Sequence, residues 1–121
     1  MSTIQSHRDL IVWNKALDLA VEVYALTERF PSKEQYRLIS QITRSVASVP
    51  ANVAEGHARS TRKDYANFVA IARGSLAETE TFLLLAQRLG YVEVRPLESV
   101  LARLDEVGRM LATLRKRLLG G

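Results

Sequence analysis

The chain has 121 residues, no cysteine, 47% hydrophobic and 25% charged residues, and a formal net charge of +4. That length suits one domain burying roughly two thirds of its unfolded surface, and the lack of cysteine excludes disulfide frameworks, thiolate catalysis and cysteine-based zinc sites, making a reducing, cytoplasmic setting the expectation. No apolar signal segment opens the sequence and no run approaches the roughly 18 apolar residues of a membrane span, while the modest positive charge, with both signs mixed, gives a mild attraction to polyanions.

The first helix is predicted over residues 9–28. Trp13, Ala16, Leu17, Ala20, Val23, Tyr24 and Thr27 recur at helical steps, with Lys15, Asp18, Glu22 and Arg29 opposite. Pro31 stops it. Ser32 followed by Gln35 reads as a capping box, so a second helix is expected over 33–57, with Phe30 stapling its entry and Ile39, Ile42, Val46, Val49 and Val53 as its apolar stripe. Pro50 lies inside this pattern and predicts a kink or short break, because it lacks an amide donor and its ring meets the carbonyl of Val46.

Thr61 with Asp64 repeats the capping pattern and opens a third helix over 62–89, ended by Gly90 in a left-handed cap. Pro96 fits the first position of a fourth helix over 96–119, whose stripe runs through Leu97, Val100, Leu101, Leu104, Val107, Leu111, Leu114 and Leu118. Helices of similar length joined by short links pack most simply as antiparallel neighbours. The expected fold is all-α: one antiparallel up-down-up-down four-helix-bundle domain spanning residues 1–121.

The third helix carries more apolar surface than one core requires. Tyr65, Phe68, Val69, Ala72, Leu76, Thr79, Leu83 and Ala86 make a complete core stripe, yet Ala66, Ala70, Gly74, Ala77, Thr81 and Leu84 form a second one of mostly small residues. Small side chains let another backbone come close, so this stripe is the expected interface of a homo-oligomer; the alternative is a solvent-facing alanine face chosen for helix propensity. Gly74 favours the interface, since a mid-helix glycine costs about 1 kcal/mol relative to alanine and close contact explains its presence. On the second helix Arg44, Ser48, Asn52, Glu55 and Arg59 form a polar line. It is either a solvated face or part of a structural network, with Ser75 and Glu78, in which Asn52 and Glu55 bond Arg44 or Arg59 and fix helix register.

Several segments together carry a family resemblance: Asp9 to Ala16 (DLIVWNKA), Phe30-Pro31, Gln41 to Arg44 (QITR), Ser48 to Gly56 (SVPANVAEG) with Arg59, and Ala72 to Glu78 (ARGSLAE). The chain resembles the bacterial four-helix-bundle proteins encoded in intervening sequences of 23S ribosomal RNA genes, from about Leu10 to Leu118. The resemblance implies a small cytosolic bundle that assembles as a ring, a pentamer, and is similar to the accessory protein of diversity-generating retroelements, a basic scaffold for RNA and a reverse transcriptase. One departure is Arg37, which stands where a glycine before the leucine is usual in the family.

Catalytic templates find no match. His7 and His57 are the only imidazoles and neither belongs to the Glu-x-x-His pair that a carboxylate di-metal bundle needs twice. No nucleophile elbow, phosphate-binding loop or dinucleotide fingerprint occurs, so no enzyme, cofactor or metal is expected. Two basic clusters remain: Arg59, Arg62 and Lys63 at the turn between the second and third helices, and Arg115, Lys116 and Arg117 at the end of the fourth. Singly they read as solvated surface; repeated around a ring they would make a basic collar for sequence-independent RNA or DNA binding. The expected function is a non-enzymatic homo-oligomeric scaffold, and the competing one is an adaptor that docks another protein without a nucleic-acid role.

Overall fold

The computed structural model describes residues 6–121. After a short 3-10 turn at His7–Asp9 come four helices, α1 (Ile11–Thr27), α2 (Leu38–His57), α3 (Arg62–Arg88) and α4 (Val94–Leu118), with a second 3-10 turn at Ser32–Glu34 between α1 and α2. No strand occurs among the described residues. The helices pack in cyclic order, each on the next and α4 back on α1. Antiparallel register is set by named contacts: Ser45 meets Thr79 between α2 and α3, and Lys15 pairs with Glu106 and Glu22 with Arg103 between α1 and α4. This is the expected four-helix bundle.

The core is aliphatic. Leu19 and Val23 of α1, Ile42, Val46, Val49 and Val53 of α2, Val69 and Leu83 of α3, and Leu111 of α4 are fully enclosed. One hydrogen bond crosses it: Ser45 Oγ and Thr79 Oγ1 lie 2.8 Å apart, one hydroxyl donating to the other while the accepting one gives its proton to a carbonyl of its own helix. Gly56 lets α2 come close to α3, where a Cβ would lie 2.8 Å from Phe68 Cβ and 2.9 Å from Tyr65 Cδ1.

Helix ends follow local chemistry. The Thr61 side chain accepts the Asp64 amide at 3.1 Å, as the capping pattern requires. Gly90 at φ +81 turns α3 off, with its own amide donating to Gln87 and the Tyr91 amide to Ala86. Gly120 at φ +85 repeats this arrangement after α4.

Four sequence-based expectations need correction. α2 begins at Leu38, not near residue 33, because Ser32 makes no capping bond and Glu34 instead turns inward, accepting the Leu38 amide and the Tyr91 hydroxyl. Arg37 makes the turn at φ −120, so no glycine is needed there. The helix then runs unbroken through Pro50, which is buried; the ladder absorbs one lost donor without interruption. α4 starts two residues before Pro96, which sits in the first turn where amides need no intrahelical partner. The buried face of α1 is rotated from the expected stripe: Val12 and Leu19 are buried, while Leu17 and Tyr24 are 38% and 48% exposed.

Candidate functional site

Packing uses only one side of α3, through Ala66, Val69, Ala72, Leu76, Thr79, Leu83 and Ala86. About 100° of turn per residue places Gly74, Ala77, Thr81 and Leu84 on the outer side, and all four are exposed, with Ala70 half-buried. Ala66 was expected in this stripe but is 1% exposed; it lies only about 60° around the helix from Val69 and falls within the core arc. The outer face also holds Ile71 and Leu85, 52% and 45% exposed, which sequence reasoning missed by drawing the stripe one residue wide. A Cβ added at Gly74 would meet nothing within 4 Å. The close contact that its glycine suggests is therefore not made within one chain.

Beside this face lies the polar line of α2. Asn52 Nδ2 donates to the Ser48 carbonyl at 2.8 Å, Glu55 pairs with Arg59 at 3.0 Å, and the Ser75 carbonyl accepts from Thr79. Arg44 and Glu78 are exposed and form no ion pair among the described residues. Within one chain the expected network stays open at Arg44 and Glu78; the side-chain bond that joins α2 to α3 is instead the buried Ser45–Thr79 pair, of which the sequence marked only Thr79, as a core position.

At the far end of the bundle the two basic clusters meet. Arg62 Nη2 donates to the Arg117 carbonyl at 2.7 Å and its Nε to the Leu118 carbonyl at 3.3 Å, tying the start of α3 to the end of α4. Arg59 stacks over the Phe68 ring, 4.6 Å from its centroid, while holding Glu55. Both guanidiniums are committed inside the chain. Lys63, Lys116 and Arg117 are exposed and form no ion pair among the described residues, and Arg115 is half-buried.

Residues 8–113 match the family model described as 23S rRNA-intervening sequence protein. The chain belongs to that family. No curated protein matches it. A similar solved structure is a protein of unknown function from the S23 ribosomal protein family of Bacteroides thetaiotaomicron, with 28% identity, a TM-score of 0.79, and coverage of 88% of this chain and 99% of the other.

Two further features of this intervening sequence protein bear on chemistry. Glu34, 5% exposed, lies at the α1–α2 link and accepts the Tyr91 hydroxyl from the α3–α4 link at 2.9 Å. That hydrogen bond holds the carboxyl below the usual glutamate range, against burial, with help from the Leu38 amide and from Arg37 and Lys33; the same bond raises Tyr91. The pair fastens two links together. Among the described residues no group of three or more His, Asp or Glu side chains is arranged to hold a metal ion, and no helix is long and apolar enough to cross a membrane.

Proposed function

We propose that this intervening sequence protein is a non-catalytic scaffold whose working unit is a cytoplasmic homo-oligomer, a pentameric ring joined through the outer face of α3. The observation that carries this reading is the exposed run Ile71, Gly74, Ala77, Thr81 and Leu84–Leu85, apolar or small over four turns and interrupted only by Glu78, in line with Ile71 and Leu85. Gly74 supports it. A glycine in a helix interior weakens that helix by about 1 kcal/mol, and nothing in the same chain uses the space it leaves. Open charges at Arg44 and Glu78 beside this face fit a network that closes on a neighbouring copy. Light scattering of the purified chain tests the reading: an assembly for wild type and a folded monomer for Gly74→Arg are expected, whereas a wild-type monomer at micromolar concentration would overturn it.

A second element of the proposal is polyanion binding at the basic end. Arg62 gathers Lys63, Lys116 and Arg117 onto one end of each subunit, and a ring would repeat that end around its axis. Contacts of this kind are made to phosphates, not bases, so they are sequence-independent and weaken with salt. Filter binding to structured RNA should show an affinity that falls steeply as salt rises; an affinity indifferent to salt, or none, would leave the same surfaces to a protein partner.

A further inference from the structure

The seam between α1 and α4 is bridged in its middle by Lys15 with Glu106 and Glu22 with Arg103. Past Lys15, toward the start of α1 and the end of α4, the two helices leave a groove of about 420 Å³ between them. Buried Val12 and half-buried Leu10, Met110 and Leu114 make its floor, and Ile11, 67% exposed, stands at its rim. Its charged groups are two guanidiniums, Arg109 and Arg117, and no acid is among the described residues that line it.

The two arginines differ. Arg109 is drawn one turn back along α4 by Asp105, at 3.3 Å, whereas Arg117 forms no ion pair among the described residues. Both walls of the groove are fixed from within the chain. Asn14 Nδ2 donates to the Arg8 and Leu10 carbonyls at 3.0 and 3.1 Å, which holds the entry to α1. Arg62 holds the Arg117 and Leu118 carbonyls and with them the last turn of α4. Walls ordered in advance lower the cost of binding.

We propose that this groove binds one medium-chain fatty acid, its alkyl chain lying over Val12, Met110 and Leu114 and its carboxylate on Arg117. A floor without polar side chains suits an alkyl chain, and the thioether of Met110 adapts to its shape. A guanidinium with no carboxylate of its own offers the acid two parallel donors. The volume lies within the roughly 300 to 1,000 Å³ of small-molecule sites and accommodates one chain, where a phospholipid carries two. A bilayer would also call for apolar side chains that project, and these line a recess, so the ligand is a free acid in solution. The site is complete within one chain and depends on neither the assembly nor the polyanion contacts proposed above.

Equilibrium dialysis of the wild-type chain against decanoate, below the concentration at which it forms micelles, tests this. One decanoate per chain is expected. Butyrate has the charge without the chain and decylammonium the chain with the opposite charge, and neither should bind measurably. Octanoate, two methylenes shorter, should bind several-fold more weakly, since each buried methylene contributes up to about fourfold. Arg117→Gln should weaken decanoate binding about tenfold. Thr113→Trp fills the groove from an exposed position and should abolish binding, with circular dichroism checking that both variants fold. Lys116→Ala removes the same charge next to Arg117 but outside the groove, and should leave binding unchanged. A wild-type chain that takes up no decanoate, butyrate or decylammonium bound as well as decanoate, binding that survives Thr113→Trp, or equal losses in Lys116→Ala and Arg117→Gln would overturn the site.

Discussion

Two glycines in adjacent helices should respond in opposite ways to the same added methyl. At Gly56 the new Cβ would lie 2.8 Å from Phe68 Cβ, 2.9 Å from Tyr65 Cδ1 and 3.2 Å from the Tyr65 carbonyl oxygen. Phe68 Cβ is fixed to the backbone of α3, so relief requires the two helices to move apart. Overpacking of this kind costs about 1 to 3 kcal/mol. It is partly offset by the helix-propensity gain from glycine to alanine, about 1 kcal/mol, leaving Gly56→Ala destabilised by up to about 2 kcal/mol. At Gly74 nothing opposes the same gain within the chain. Urea unfolding at a concentration low enough to dissociate any assembly reads both variants on the monomer. There Gly74→Ala should be about 1 kcal/mol more stable than wild type and Gly56→Ala less stable, a gap of about 1 to 3 kcal/mol. A Gly56→Ala chain at least as stable as wild type would refute the close α2–α3 packing.

Other outcomes follow from the same contacts. Ser45→Ala and Thr79→Val should each cost about 1 kcal/mol, and the double variant less than their sum, since both break one buried hydrogen bond; strict additivity in a double-mutant cycle would contradict that pairing. Glu34 has a lowered pKa in the folded chain, so its contribution is complete above the unfolded glutamate value of about 4.3 and is lost as pH falls through the folded value. Urea midpoints should drop on that acid limb and drop less in Glu34→Gln. Tyr91 is raised, so its contribution holds below an unfolded value of about 10 and is lost as pH rises through the folded one; Tyr91→Phe should flatten that alkaline limb. In RNA filter binding, Lys63→Ala and Lys116→Ala should each reduce the salt slope by about one, an expectation that an unchanged slope contradicts.

Local signals made much of this fold legible. The Thr61–Asp64 cap and Gly90 bounded α3 to within a residue, and the aliphatic repeats of α2 and α4 named most of their buried aliphatic positions, with Ile39, Leu101, Leu114 and Leu118 left half-buried, because these depend on near neighbours in the chain. Errors arose where a distant partner decided. Ser32 and Gln35 had the spacing of a cap, but Glu34 found Tyr91, more than fifty residues away, and drew the link inward. On α1 the expected stripe and its neighbour were both apolar, so periodicity alone could not choose between Leu17 and Leu19; the unused one became exposed surface. The same ambiguity on α3 put Ala66 on the wrong side and hid Ile71 and Leu85. For the candidate site, residue types marked the α3 face, the basic clusters and a bond of Glu55 to Arg44 or Arg59, of which the one to Arg59 is made, but not that Arg62 would join those clusters.

Most directly, the account turns on the mass of the native particle. Native mass spectrometry of the wild-type chain should give one closed species at five times the 13.6 kDa of a single chain, without a ladder of longer forms. A spectrum of monomer alone at micromolar concentration would contradict the claim that the outer face of α3 exists to meet another copy.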